Sequence, residues 1–213
     1  MKKLNDNYTY AIDLGCKGIR AGVVPDLQHA SGMAVIPDQT HSCRVAIIGK
    51  DGSIPSLEST DALICMCRGL AIGVRTADCV PILMAAPDIC AVAAVHAGWK
   101  GSLNGIVTST VERLVSLGAD PDVIHAAFGP SICGKCYEVS ETLAMSFKDA
   151  GFAEAVDNRN VDLQAVNRLR LTRAGIRPEN IADSHICTLE NTEFPSWRRN
   201  RTERRLLTWI ELD

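Results

Sequence analysis

The chain has 213 residues and a mass of 23.0 kDa, and its 22 basic and 25 acidic side chains give a net charge of −3 at pH 7. A chain of this length buries about 70% of the surface that its unfolded state exposes, so its core needs neither a metal nor a disulfide. The charge and a pI near 6.0 argue against nucleic acid or an anionic membrane as partner, and each apolar run is shorter than the ~20 residues of a membrane span.

The first 97 residues are dominated by strand patterns. Short β-rich or apolar runs closed by Gly, Pro or Asp predict strands at 8–14, 18–24, 43–48, 62–66, 70–74, 80–85 and 90–95. Several of these runs are continuously apolar, which is typical of strands that are buried on both faces.

Helices are predicted only in the second half. Apolar residues at helical spacing predict a helix over 103–115, which Gly118 and Pro121 terminate. Ser140 and Asp162 are N-cap candidates for two further helices, over 140–151 and 162–175. The remaining strands are predicted at 123–128, 181–187 and 206–212. Strands mixed with a minority of helices, without regular β/α alternation, predict one α+β domain that spans residues 1–213.

The nine cysteines indicate a reducing environment. Their number is odd, and the chain is not a small secreted domain, so we expect free thiols. The start of the sequence has a basic pair but no apolar stretch behind it, so it is not a signal peptide, and a cytoplasmic location is predicted. The pair Cys133 and Cys136 has metal or redox spacing, but no second Cys pair accompanies it, which favours a loop with two reduced thiols.

Three potential metal ligands lie at the ends of predicted strands: His41, Cys79 and His96. Two imidazoles and a thiolate with an open fourth position form the type of ligand set that catalytic zinc uses. Separations of 38 and 17 residues form no local ligand motif, so buried free cysteines and hydrogen-bonded histidines are an alternative interpretation.

The surrounding segments resemble the YfiH family, also called the laccase-domain family, whose members include purine nucleoside phosphorylases. The similarity covers residues 38–213 and is carried by Thr76-Ala77-Asp78-Cys79-Val80-Pro81, His96-Ala97-Gly98-Trp99-Lys100-Gly101, Gly129-Pro130, Cys136-Tyr137-Glu138-Val139, Asp162-Leu163 and Ser196-Trp197-Arg198-Arg199. It implies a layered α/β/β/α sandwich with mixed sheets and a zinc ion held by His41, Cys79 and His96.

The resemblance also implies a reaction: phosphorolysis of adenosine, inosine or methylthioadenosine, and hydrolytic deamination of adenosine. Zinc would activate water or polarise a substrate oxygen. Asp78 is a candidate catalytic residue that orients a ligand or substrate, although a turn carboxylate is an equal alternative. Arg198 and Arg199 match the family's arginine pair and are candidates for binding phosphate or for a structural role near the cleft.

Three other functions stay open. Copper suits a His2Cys site, but five histidines without a His-x-His segment cannot build the extra centres of a true laccase, so only a weak polyphenol oxidase is considered. Cys79 and His96 could instead form the dyad of a metal-free hydrolase. Residues 1–40 lack the Arg-Gly-Gly-Val-Ser type turn that is usual in the family, which makes a non-catalytic nucleoside-binding homologue the third alternative.

Overall fold

Two β-sheets form the centre of the chain, which a computed structural model describes for residues 2–3 and 9–213. The five-stranded sheet is antiparallel throughout and has the order β1 (Lys2–Lys3), β2 (Tyr10–Ala11), β3 (Ile19–Val24), β13 (Leu206–Leu212), β6 (Ile72–Thr76). The six-stranded sheet has the order β12 (Ile181–Asp183), β9 (His125–Phe128), β7 (Val80–Ala86), β8 (Ala91–Ala97), β5 (Ala62–Cys65), β4 (Val45–Ile48). Its β12–β9 and β5–β4 pairs are parallel and the others antiparallel, so this sheet is mixed.

The two sheets pack face to face through apolar side chains. Successive residues of a strand point to opposite faces, so Leu83 and Ala85 of β7 face the five-stranded sheet while Ile82 and Met84 face the other way. All four are fully buried, as the continuously apolar runs of the sequence predict.

A helical layer covers the second face of the six-stranded sheet. The helices are α1 (Trp99–Asn104), α2 (Ile106–Ser116), α3 (Glu141–Phe147), α4 (Leu163–Arg173) and the short α5 (Trp197–Asn200), and a two-stranded ribbon, β10 (Val156–Asp157) with β11 (Asn160–Val161), lies between α3 and α4. Ile106, Val107, Val111 and Leu114 of α2 are buried in the same apolar cluster as Ile82 and Met84 of the sheet, and α2 packs mainly on β8. Within the described residues, no helix combines the length and apolar character that a bilayer crossing requires.

The mixed α+β sandwich is therefore confirmed, with local differences from the predicted elements. The helix predicted over 103–115 is two helices, because Gly105 has φ +96° and its N–H donates to the Gly101 carbonyl, which ends α1. The strand predicted at 181–187 ends at Asp183, and the one predicted at 8–14 begins at Tyr8, outside the described residues.

A loop segment lies on the outer face of the five-stranded sheet. In the described residues the segment 25–37 packs there, with one 3-10 turn at Leu27–Ala30, against Leu207 and Trp209. That one domain spans all of residues 1–213 stays a prediction, because residues 1 and 4–8 are not described.

Candidate metal and nucleoside site

The predicted ligands His41, Cys79 and His96 lie together at one edge of the six-stranded sheet. Their potential ligand atoms are all within 4.8 Å of one another, and the Cys79 Sγ is 3.8 Å from the His41 Nε2. The β7–β8 hairpin brings two of them together, because Cys79 directly precedes β7 and His96 pairs with Pro81 of that strand. His41 comes from the loop before β4.

Asp61 holds both histidines, although no motif in the sequence marks it. It is fully buried directly before β5, and its Oδ1 lies 2.7 Å from the His96 Nδ1. The same oxygen accepts a hydrogen bond from the backbone N–H of His41, while Oδ2 accepts from the backbone N–H groups of Thr40 and Ser42 and from the Ser42 hydroxyl. The carboxylate thus keeps a proton on the His96 Nδ1, which makes Nε2 the ring nitrogen that would bind a metal.

Charges within the cluster lower the pKa of Cys79 and raise the pKa of His96. Burial favours the neutral thiol, but the imidazoles of His96 and His41 outweigh burial and lower the pKa of Cys79 to about 6. Burial also favours a neutral imidazole, and the negative charges of Cys79 and Asp61 outweigh it and raise the pKa of His96 to about 9. Without a metal, the cluster at neutral pH is therefore a thiolate beside an imidazolium, and a bound cation would replace the imidazolium proton as the positive charge.

Gly98 makes room for this arrangement. A Cβ atom at this position would lie 2.5 Å from the His41 Cδ2, so the imidazole would have to shift, and 3.2 Å from the Cys79 Sγ, which is a tight contact. His41 itself has a φ of +63°, a left-handed conformation that is uncommon for a residue other than glycine. The local backbone is thus arranged to bring the imidazole of His41 to the thiol of Cys79.

The residues present fit a metal ion of the zinc type. Bonds of about 2.3 Å to sulfur and 2.0–2.1 Å to nitrogen separate tetrahedral ligand atoms by about 3.6 Å, close to the 3.8 Å between Cys79 Sγ and His41 Nε2. The set contains three protein ligands, and a cleft adjoins it, which is the pattern of a catalytic site with an open position. A His2Cys set is also compatible with copper, so the ligands alone do not identify the metal.

The cleft beside the cluster has a volume of about 1000 Å³. Its walls include the aromatic side chains of Trp99, Tyr137 and Trp197 and the guanidinium-bearing residues Arg75, Arg198, Arg201 and Arg205. Burial and the negative charge of Cys79 raise the pKa of Tyr137 to about 12, so its hydroxyl remains protonated at neutral pH. Aromatic faces and cations thus line the same cleft.

Asp78 lies in the cleft wall, and its carboxylate has local partners. The Thr188 hydroxyl donates to Oδ1 at 2.7 Å, and the backbone N–H of Arg198 donates to Oδ2 at 2.6 Å. The carboxylate therefore joins the segment before β7 to the start of α5. This geometry gives Asp78 a positioning role for the Arg198 segment of the wall.

The two candidate arginines occupy different environments. Arg198 lines the cleft, where its guanidinium lies 5.0 Å from the Tyr137 ring centre and donates to the Glu138 carbonyl. The Arg199 guanidinium is not among the described residues that line the cleft. It donates instead to the backbone carbonyls of Thr188, Leu189, Asn191 and Phe194. Arg199 therefore stabilises the loop before α5, and phosphate binding by its side chain stays a prediction.

The structure is thus a mixed α+β sandwich in which a His2Cys cluster that could hold a metal lies beside an open cleft. The chain belongs to the family described as multi-copper polyphenol oxidoreductase laccase, whose model matches residues 19–213. This confirms the family resemblance seen in the sequence.

Relatives and solved structures agree with this membership. Adenosine deaminase RL5, from an unknown prokaryotic organism, is 41% identical over 181 residues, which cover 78% of this chain and 69% of RL5. Purine nucleoside phosphorylase SCO2081 of Streptomyces coelicolor is 37% identical over 180 residues, 83% of this chain and 74% of the relative. Relatives this similar, named for two enzymatic activities, confirm the prediction that the chain is an enzyme.

The fold is shared with solved structures of lower sequence identity. The crystal structure of the hypothetical protein YfiH of Bacillus licheniformis has a TM-score of 0.88 at 24% identity and covers 99% of this chain and 98% of its own. The Neisseria meningitidis protein NMB0706 has a TM-score of 0.80 at 24% identity, with 97% and 99% covered. At this identity the match establishes the fold alone.

Proposed function

We propose that the chain is a zinc-dependent enzyme that acts on purine nucleosides, by phosphorolysis of adenosine, inosine or methylthioadenosine and by deamination of adenosine. The observation that carries the proposal is the cluster of His41, Cys79 and His96 beside a cleft lined by aromatic and cationic side chains. The names of the relatives supply the substrate class.

Zinc is the proposed metal, and copper is the less favoured alternative. Bound at His41, Cys79 and His96, zinc supplies Lewis acidity and a lowered pKa for water. The chain's own contribution is orientation: Asp61 fixes the ring of His96 and the backbone of His41, and Gly98 allows the close approach of Cys79. All nine cysteines are free thiols in the structure, and a cytoplasmic location is part of the proposal.

The aromatic walls are the proposed purine site. Trp99, Tyr137 and Trp197 can stack against a purine base, and a cleft of about 1000 Å³ has room for a nucleoside together with phosphate. The protonated hydroxyl of Tyr137 can donate a hydrogen bond to a ring nitrogen or a ribose oxygen.

The cationic wall is the proposed phosphate site. The Arg198 guanidinium uses one N–H group in a hydrogen bond to the Glu138 carbonyl, and its other N–H groups stay available for a ligand. Asp78 fixes the backbone of Arg198 by accepting a hydrogen bond from its N–H. The Arg75 guanidinium makes no hydrogen bond or ion pair within the described part of the chain, which leaves its planar donor set available for an oxyanion. We propose Arg198 and Arg75, rather than Arg199, as the groups that bind phosphate.

The test is chromatographic analysis of adenosine incubated with the metal-quantified protein in the presence and absence of phosphate. Adenine with ribose-1-phosphate, formed only with phosphate, supports phosphorolysis, and inosine supports deamination. Cys79→Ser should abolish both products, while Cys90→Ser, at an exposed cysteine outside the cleft, should keep them.

Two results would contradict the proposal. If the zinc-loaded protein binds adenosine but forms no product, the chain is a non-catalytic nucleoside-binding homologue. If only the copper-loaded protein turns over, and only with phenolic substrates, the polyphenol oxidase alternative is correct.

A metal-free cysteine hydrolase is the second candidate, because Asp61, His96 and Cys79 are arranged as a carboxylate, a base and a thiol whose pKa is lowered to about 6. Chelation separates the two functions: the hydrolase would keep its activity without metal and lose it on alkylation of Cys79. The metal enzyme would lose activity on chelation.

A further inference from the structure

A second cluster of thiols lies in the structure apart from the site described above. Cys133, Cys136 and Cys187 converge with Glu190, and their potential ligand atoms are all within 4.8 Å of one another. The sequence suggested only a loop with two thiols, because Cys187 and Glu190 follow more than 50 residues later.

The distances within this cluster suit tetrahedral coordination. Zinc bonds of about 2.3 Å to sulfur and 2.1 Å to oxygen separate neighbouring ligand atoms by about 3.6–3.8 Å. The Cys136 Sγ lies 3.7 Å from the Glu190 Oε1, which matches that spacing. The backbone N–H of Cys133 donates to the Cys187 Sγ at 3.4 Å, so one sulfur already receives a donor suited to a thiolate.

The backbone holds the two segments in register independently of any ligand. Thr188 N–H donates to the Ser131 carbonyl at 3.0 Å, and Ser131 N–H donates to the Ile186 carbonyl at 3.2 Å. Between Cys133 and Cys136, Gly134 packs so closely on Asp162 that a Cβ atom at position 134 would lie 2.7 Å from the Asp162 Cβ. Convergence of the four side chains is thus set by the fold.

We infer that Cys133, Cys136, Cys187 and Glu190 bind a second zinc ion, in a closed structural site. Three thiolates and one carboxylate would supply four protein ligands and leave no position for water, which is the coordination number of structural zinc sites. Binding would release the three thiol protons to solvent and leave the oxidation state of every sulfur unchanged. This inference does not depend on the proposed function.

The site would brace one wall of the cleft. Cys136 directly precedes the cleft residue Tyr137, and Cys187 directly precedes Thr188, whose hydroxyl donates to Asp78. Arg199 donates to the carbonyls of Thr188 and Leu189. A metal that joins the two segments would therefore stabilise the wall that carries Tyr137 and Arg198.

The experiment is metal analysis of the full chain, purified under reducing conditions, together with the spectrum of its cobalt-substituted form. The wild type should bind two ions per chain. The His41→Ala/Cys79→Ser variant should keep one ion, and its cobalt form should show the intense sulfur-to-metal charge transfer of several thiolates. Cys133→Ser/Cys187→Ser should lose that signal and keep the weaker one of a single thiolate, while Cys90→Ser should match the wild type.

The inference does not require the cysteine variants of the second cluster to fold. The His41→Ala/Cys79→Ser variant decides it alone: one thiolate-rich ion per chain supports the site, and no ion overturns it. A wild type with one ion and two fewer reactive thiols after denaturation without reductant would show a disulfide in place of the metal. That result would also overturn the inference.

Discussion

Replacing Asp61 by Asn should destabilise the protein and loosen the metal site at the same time. The two carboxylate oxygens accept hydrogen bonds from five donors, which are the His96 imidazole, three backbone N–H groups and the Ser42 hydroxyl. An Asn side chain has only one oxygen acceptor, and its NH2 group would face the donors that now bond to the second carboxylate oxygen. Whichever way the amide lies, at least one buried donor loses its acceptor.

The magnitude follows from the titration of Asp61. Its own burial opposes ionisation, but hydrogen bonds from His96 and Ser42 outweigh burial and lower the pKa from 3.8 to about 2. That difference corresponds to about 2.5 kcal/mol, at 1.36 kcal/mol per pH unit. A buried donor without a partner costs about 1–3 kcal/mol more. We expect Asp61→Asn to reduce the free energy of unfolding of the chelated protein by about 4 kcal/mol.

The stabilisation by Asp61 should depend on pH in a defined direction. Because the pKa of Asp61 is lower in the folded state than its unfolded value of about 3.9, its stabilisation is fully present above that value and is lost as the pH falls through about 2. The difference in stability between wild type and Asp61→Asn should therefore be constant from about pH 5 to 6 and shrink toward pH 2.

Denaturant unfolding at several pH values measures the stability, and metal competition measures the affinity. Loss of the group that orients a metal-binding histidine should lower metal affinity by about 10–100-fold. Ser42→Ala is the matched control: it removes one of the five donors and should cost only about 1 kcal/mol. If Asp61→Asn unfolds and binds metal like the wild type, our account of how the site is held together is wrong.

Further predictions concern single features of the site. In the chelated protein, the rate at which Cys79 is alkylated should rise with a pH midpoint near 6, whereas a free cysteine has a pKa of about 8.5. The rate for Cys79 is the difference between the wild type and Cys79→Ser. A midpoint above 8 would exclude the thiolate–imidazolium pair. Gly98→Ala should lower metal affinity while the far-UV circular dichroism stays native, because the added methyl group meets His41; unchanged affinity would contradict this crowding. Arg199→Ala should lower the free energy of unfolding by about 3 kcal/mol, because its hydrogen bonds to backbone carbonyls are lost. Arg198→Ala should instead raise the KM for phosphate and leave the stability unchanged. The opposite pattern would reverse the roles of the two arginines.

The sequence predicted helix starts well, because a helix cap depends only on residues that are close in the chain. Ser140 and Asp162 were expected to cap helices, and in the structure their side chains accept hydrogen bonds from the backbone N–H groups of Leu143 and Ala165. The break at Gly105 was not predicted, because the apolar periodicity continues across it while the backbone turns left-handed.

The site was predictable only in part, for a similar reason. The strand-end positions of His41, Cys79 and His96, with the family resemblance, identified the ligand candidates. Asp61 was missed because its hydrogen-bond partners lie 19 to 35 residues away, and no local motif marks a carboxylate that binds them. The match of Arg199 to the family's arginine pair left phosphate binding and a structural role both open, because the sequence does not show that its side chain turns toward the loop carbonyls.

We propose that the cluster of His41, Cys79 and His96 is a metal-dependent site that transforms purine nucleosides. The most direct test removes the metal by chelation, returns zinc stepwise, and follows the conversion of adenosine at each step. We predict that conversion disappears in the chelated wild type, returns with zinc, and never returns in Cys79→Ser. Full conversion by the chelated protein, or by Cys79→Ser, would contradict the claim.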